Sequence, residues 1–201
     1  MMGKEKLSER ELQILEVAKV VFAEQGFHKA TVDEIASRAG VAKGTVYLYF
    51  KSKDELFLKT LEFVFNEMME SVQVPEEIQD PLERLKIGIR RYLEYLEEHK
   101  RLFGIILHDR VSSVRIPARS QERKLEIYKA LEQRIIALMK KCIEAGYLKP
   151  INPLWLASAI TGIISRFVVN SLVFSPNQKL TDLYPLILEI FLNGAKAKQN
   201  S

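Results

Sequence analysis

Apolar residues recur at intervals of three and four along nearly the whole chain, with polar residues filling the gaps, which is the period of an amphipathic helix. Leu12, Ile14, Leu15, Val17, Ala18, Val21 and Phe22 make the first such stripe. It opens at Ser8 with Glu11 three residues on, a capping box, and Gly26 is a stop signal. A second box runs from Thr31 to Glu34 and starts a short helix that buries Ile35, Ala36 and Ala39 and ends at Gly40. A third, from Ser52 to Glu55, opens a long helix carrying Leu56, Phe57, Leu61, Val64, Phe65 and Met68. Between Gly40 and Ser52 there is room for only about two helical turns. Asp80-Pro81 starts another helix, with proline at its first position, bearing Leu82, Leu85, Ile89, Tyr92, Leu93 and Leu96. The stretch 99–110 continues as helix after a bend, 111–121 is a polar break around Pro117, and Leu125 to Cys142 marks a long helix ending at Gly146. Asn152 caps the next helix. Residues 175–178 break the chain, and a last helix covers about 182–193. Alternating strand patterns are lacking, so the expected fold is all-α.

One segment departs from amphipathicity. Residues 154–174 are apolar almost all round, which suits a helix covered on both sides or a membrane span. Arg166 and Asn170 interrupt it and no basic cluster flanks it, so the reading is a helix covered from both sides and not in a membrane. Ala157, Ser158, Ala159, Thr161, Gly162 and Ser165 would let a second helix approach closely, and a second subunit would supply the cover.

At 201 residues, 47% apolar and 28% charged, the chain has the composition of a globular protein with a sizeable core. Cys142 is its single cysteine, so neither an internal disulfide nor a cysteine zinc site can form. With a charged N-terminus lacking an apolar run, the expectation is a reduced, cytoplasmic protein. The net charge of +4 says little, but its distribution says more. Residues 1–70 hold 10 basic and 12 acidic side chains, yet no acid lies between Glu34 and Asp54, where Arg38, Lys43, Lys51 and Lys53 stand alone in the sequence.

That acid-free window contains two short helices joined at Gly40, a helix-turn-helix. In this motif the N-terminal end of the second helix enters the major groove. Lys43 can donate to guanine, Thr45 offers a hydroxyl or a methyl, and Gly44 lets the backbone approach closely. Val46 and Phe50, four apart, point inward. Tyr47 and Tyr49 can place hydroxyls on phosphates beside Lys51 and Lys53. Bland readings stand beside these: Thr31 is explained as a helix cap, Tyr47 as core, and Lys51 as a solvated charge.

The stretch TVDEIASRAGVAKGTVYLYFKSKDEL resembles the TetR family of bacterial transcriptional regulators, over roughly residues 8–65. Thr31, Ile35, Ala36, Ala39-Gly40-Val41, Gly44, Tyr47, Tyr49-Phe50, Lys53 and Leu56 fall in step with its pattern. Ala42 departs from it, where the pattern often has serine. The resemblance implies base reading by Lys43, Gly44 and Thr45. It implies phosphate contact or bracing of the recognition helix by Thr31, Tyr47, Tyr49 and Lys53. It further implies a DNA-binding domain at 1–52, a larger helical ligand-binding and dimerisation domain at 53–201, and a connecting helix at 53–73.

In the second region, bulky apolar residues and a few polar groups share helices. His99, Phe103, His108, Arg110, Tyr128, Trp155, Arg166, Phe167 and Asn170 are the candidates to line an apolar pocket, with core packing as the plain alternative for each ring. Arg166 is paired, at a dimer interface or facing a ligand. An anionic amphiphile, such as a fatty acid or acyl thioester, would suit the arginines. His99 and His108 are nine apart, too far for a helical metal pair, and no nucleophile–base pair or phosphate loop is found, so neither metal, cofactor nor enzyme activity is expected. Two functions remain: a dimeric repressor released from a palindromic operator by a mostly apolar ligand, or a helical module that binds a protein or membrane surface without specific DNA binding.

Overall fold

The computed structural model describes residues 7–103, 118–175 and 177–195, and for 118–128 and 195 the backbone alone. Helices make up both compact units. Unit one takes the described residues up to Glu67 together with Arg101–Phe103; unit two takes Met68–Lys100 and the described residues from Ala118 onward.

In the first unit, α1 (Glu9–Lys29), α2 (Val32–Arg38) and α3 (Lys43–Tyr49) precede α4 (Lys53–Ser71), which runs on into the second unit. All three expected capping hydroxyls work. Ser8 Oγ accepts from Glu11 N at 3.2 Å, Thr31 Oγ1 from Glu34 N at 3.2 Å and Ser52 Oγ from Glu55 N at 3.1 Å. Each satisfies an amide that the first helical turn leaves without a partner. The first helix breaks at Gly26 as expected, where φ 76° and ψ 168° are not helical, and one further turn runs to Lys29 before Ala30. The core of the unit is aromatic: the ring of Phe57 meets Phe22 edge-on at 4.9 Å and Phe27 at 5.0 Å. Ile14, Leu15, Ile35, Val46, Phe50 and Leu56 are fully buried around them.

The second unit holds α5 (Pro81–Glu98), α6 (Ala118–Glu144), α7 (Pro153–Val169) and α8 (Tyr184–Ala195). Asp80 and Asn152 cap α5 and α7, each ahead of a proline. The break expected at 111–121 ends sooner than expected, since Ala118–Gln121 already belong to α6; four residues with no helix breaker past Pro117 simply join the helix. Likewise α7 loosens into a π turn at Asn170–Phe174, and a 3₁₀ turn at Thr181–Leu183 precedes α8. Helix α7 packs on both α6 and α8, and α5 packs on α6 and α8.

Candidate nucleic-acid interface

The turn between α2 and α3 depends on Gly40, whose φ of 64° lies in the left-handed region that side chains disfavour. Its amide donates to Ser37 O at 3.1 Å and the next, Val41 N, to Ala36 O at 3.0 Å, closing the end of α2. Gln13 of α1 adds a donor from its Nε2 to Ala39 O at 2.9 Å. Helix α3 is then held by two buried side chains one turn apart, Val46 and Phe50, as their spacing suggests. The remaining circumference is free. Tyr47 is 44% exposed, Tyr49 38% and Leu48 83%.

Gly44 is informative. Its backbone is helical, not left-handed, and a Cβ there would meet nothing within 4 Å. Among the described residues nothing within 4 Å requires a glycine at this place. Ala42 occupies the N-cap position with φ −70° and ψ 147° and has no side chain to cap α3.

The isolation of the basic residues is a correction. Lys43 Nζ donates to Asp33 Oδ2 at 2.6 Å, and Arg38 reaches Glu24 at 2.6 Å and Glu34 at 2.7 Å. The window lacks acids in sequence only; folding α2 against α3 and α1 brings them alongside. Hydrogen bonding to Asp33 raises the pKa of Lys43, which stays charged. Lys53 is committed inward: its Nζ donates to His28 O at 3.1 Å and sits 4.6 Å from the centre of the Phe27 ring. Partial burial lowers its pKa. It braces the bundle in the way the resemblance allows. Lys51 is exposed, and its backbone amide donates to Glu55 Oε2 at 2.7 Å. Thr31 is exposed as well as capping. Leu48 was missed by the sequence reading. The signal was available, since position 48 lies opposite Val46 on the helix, but a leucine among aromatics reads as core.

The described ligand candidates differ in how far they are covered. Trp155, Arg166 and Asn170 stand on the exposed side of α7, Trp155 at 64%. Phe167 and Phe103 are half-buried. His99 forms the C-cap of α5, its ring stacked on Tyr95 at 4.2 Å and its Nδ1 3.0 Å from the Tyr95 carbonyl oxygen. His108 and Arg110, and the Tyr128 side chain, lie outside the described residues. A shallow depression of about 460 Å³ is lined by Phe174, Ser175, Asn177, Gln178, Lys179 and Asp182, none of them candidates.

Among the described residues, Pro153–Phe174 is the one helix long and apolar enough to cross a membrane, with mean hydropathy 1.6 and 39% of it buried. No group of acids, histidines and cysteine able to hold a metal ion occurs among the described residues.

A short helix carrying an outward polar and aromatic face, set by a glycine turn on a capped neighbour, is the helix-turn-helix of transcription regulators. The family model for bacterial regulatory proteins of the tetR family matches residues 14–60. The HTH-type transcriptional regulator AcrR of Shigella flexneri is 30% identical over 200 residues, covering 94% of this chain and 92% of its own. The fatty acid metabolism regulator protein of Bacillus subtilis is 27% identical, covering 93% and 96%. The crystal structure of FadR from Bacillus subtilis in complex with stearoyl-CoA superposes with a TM-score of 0.69 at 25% identity, covering 91% of this chain and 98% of that one. The chain belongs to the tetR family of bacterial regulatory proteins and is a transcriptional regulator, not an enzyme.

Proposed function

We propose that this regulator is a dimeric repressor that binds a palindromic operator through α3 and is released by a long-chain acyl thioester. The observation that carries the DNA reading is the outward face of α3, with Gly44 bare, Lys43 and Thr45 at its leading end and Tyr47 and Tyr49 half-exposed beside it. Lys43, Gly44 and Thr45 read base edges; Thr31, Tyr47, Tyr49 and Lys51 hold phosphates; Lys53 keeps α4 against the end of α1. The DNA-binding domain is residues 1–52, and α4, which ends at Ser71 and not at 73, connects it to the ligand-binding and dimerisation domain.

Support for the dimer comes from α7 and α8. Trp155 and Phe174, 64% and 67% exposed, join Leu154, Leu186 and Ile190 as uncovered apolar side chains. A Cβ on Gly162 meets nothing within 4 Å, so that glycine too is free for a neighbour. An apolar surface of this kind is covered when the same two helices of a second copy pack against it, and the twofold axis makes the operator palindromic with half-sites about 34–36 Å apart. Arg166 and Asn170 then belong to the dimer face and not to the pocket. The acyl thioester is supported by the likeness to a fatty acid metabolism regulator and to a FadR bound to stearoyl-CoA. A ligand that fits one arrangement of the second domain better shifts the population toward it, and α4 carries the change to the recognition helices.

The test is fluorescence anisotropy on duplexes selected from genomic fragments, with and without stearoyl-CoA. Tight binding to a palindrome, relieved by the thioester and not by free coenzyme A, is the expected result. Binding that is indifferent to acyl thioesters of every chain length overturns the effector assignment.

A further inference from the structure

Leu48 is the most exposed large apolar side chain among the described residues. At 100° per residue, both Gly44 and Leu48 lie about 160° round the helix from the buried Val46. They therefore share the pole of α3 that faces directly away from the core, one turn apart. Gly44 leaves that pole low, with no side chain and open space around it. Leu48 rises next to it as the sole bulk on the crest, between the flanks formed by Thr45 and by Tyr47. The groups around this pole are polar or charged: Lys43, which Asp33 holds in the free protein, the two tyrosines and the exposed Lys51. The crest itself is hydrocarbon.

A leucine can neither donate nor accept a hydrogen bond, so it can contact no phosphate and read no amino, keto or ring-nitrogen edge. The one apolar group that the base edges present in the major groove is the 5-methyl of thymine. We propose that Leu48 is a specificity-determining residue that packs on the 5-methyl group of one thymine in each operator half-site. The proposal rests on the reading of α3 as the DNA-reading helix and deepens it from a face that touches DNA to a base that it selects.

Duplexes selected by the full-length wild-type protein supply the probe. Each thymine in the selected site is replaced in turn by uracil, which removes the methyl and nothing else, symmetrically in both half-sites. Wild-type protein and Leu48→Ala are then titrated against the series, with a thermal melt to check that the exposed substitution leaves folding unchanged. The expected result is one thymine per half-site at which wild type loses about fourfold for each methyl removed, the worth of one buried carbon, hence about fifteenfold for the pair. Leu48→Ala is indifferent to uracil at that same position and is sensitive as before elsewhere, the coupling expected of two groups in direct contact. If wild type and Leu48→Ala respond alike at every thymine, the inference is overturned and the crest of α3 meets something else. If wild-type protein enriches no duplex at all, it is the DNA reading that fails, and this inference falls with it.

Discussion

Gly44 costs α3 helix stability that no contact within the protein returns, since its backbone is helical and the space above it is empty. An alanine there should raise the melting temperature, because it removes the glycine's excess chain entropy, worth up to about 0.5–1 kcal/mol in the middle of a helix and less in this first turn. On the proposed reading of α3, the same Gly44→Ala should weaken operator binding, because the added methyl would stand between the helix and the DNA. The opposed signs make the pair of measurements decisive: a stabilised protein that binds as tightly as wild type shows that this face meets no DNA. Lys43 supports a second prediction. Its ammonium is held by Asp33 in the free protein, so binding DNA exchanges one anion for another. Lys43→Ala should lose roughly five- to hundredfold in operator affinity for each half-site, as befits one base contact in each. Asp33→Asn frees the lysine from its competitor and should bind tighter than wild type by electrophoretic mobility shift at low salt. Unchanged or weaker binding would mean that Asp33 serves to orient Lys43 instead.

At the scale of the element, α3 is short and begins on an alanine that has the extended N-cap backbone without the capping oxygen. Ala42→Ser supplies that oxygen and should stabilise the bundle by about 0.5–2 kcal/mol in urea unfolding. A neutral or negative effect would show that the α3 start is arranged differently in solution. In α6, burial of Cys142 pushes its thiol pKa up to about 11 from an ordinary 9.0. The folded state then holds its proton across a window in which the unfolded chain has released it. Its contribution to stability is fully present below pH 9 and is lost as pH rises towards 11. Thiol reagents at pH 8 should leave the native protein unlabelled and modify Cys142 only on unfolding. Rapid labelling of the native state would contradict the packing of α6. Helix starts were the easiest elements to read because each cap is decided by two residues three apart. Their ends and the change from α to π winding at Asn170 were not readable, since those follow from what the last turns pack against.

The whole molecule is expected to act as a pair. Gly162→Glu sets a charge on the exposed side of α7 where nothing in the single chain is disturbed, so the variant should fold and sediment as a monomer. Operator affinity should then fall steeply, because a single recognition helix loses the second half-site. A dimeric Gly162→Glu protein would move the interface elsewhere. For the wild-type protein, operator binding should weaken linearly in log–log terms with salt, at a slope of about 0.9 per phosphate neutralised. A flat dependence would leave α3 without phosphate contacts.

What the sequence determined by itself was local: the helical period, the three capping hydroxyls, the glycine turn at Gly40 and the burial of Val46 and Phe50 all depend on residues within a turn or two of each other. The pattern that marks the family is local too, running from Thr31 to Leu56 with one departure at Ala42, which is why the helix-turn-helix was legible. Only the tertiary structure decided the rest. It put Asp33 beside Lys43 and Glu24 beside Arg38, turned Lys53 inward onto His28 and Phe27, and left Trp155, Arg166 and Leu48 outside. The physical reason is common to all of these. Whether a charge is paired or a ring is covered depends on neighbours brought from distant parts of the chain, and the amphipathic period says which side of a helix is apolar but not what lies against it.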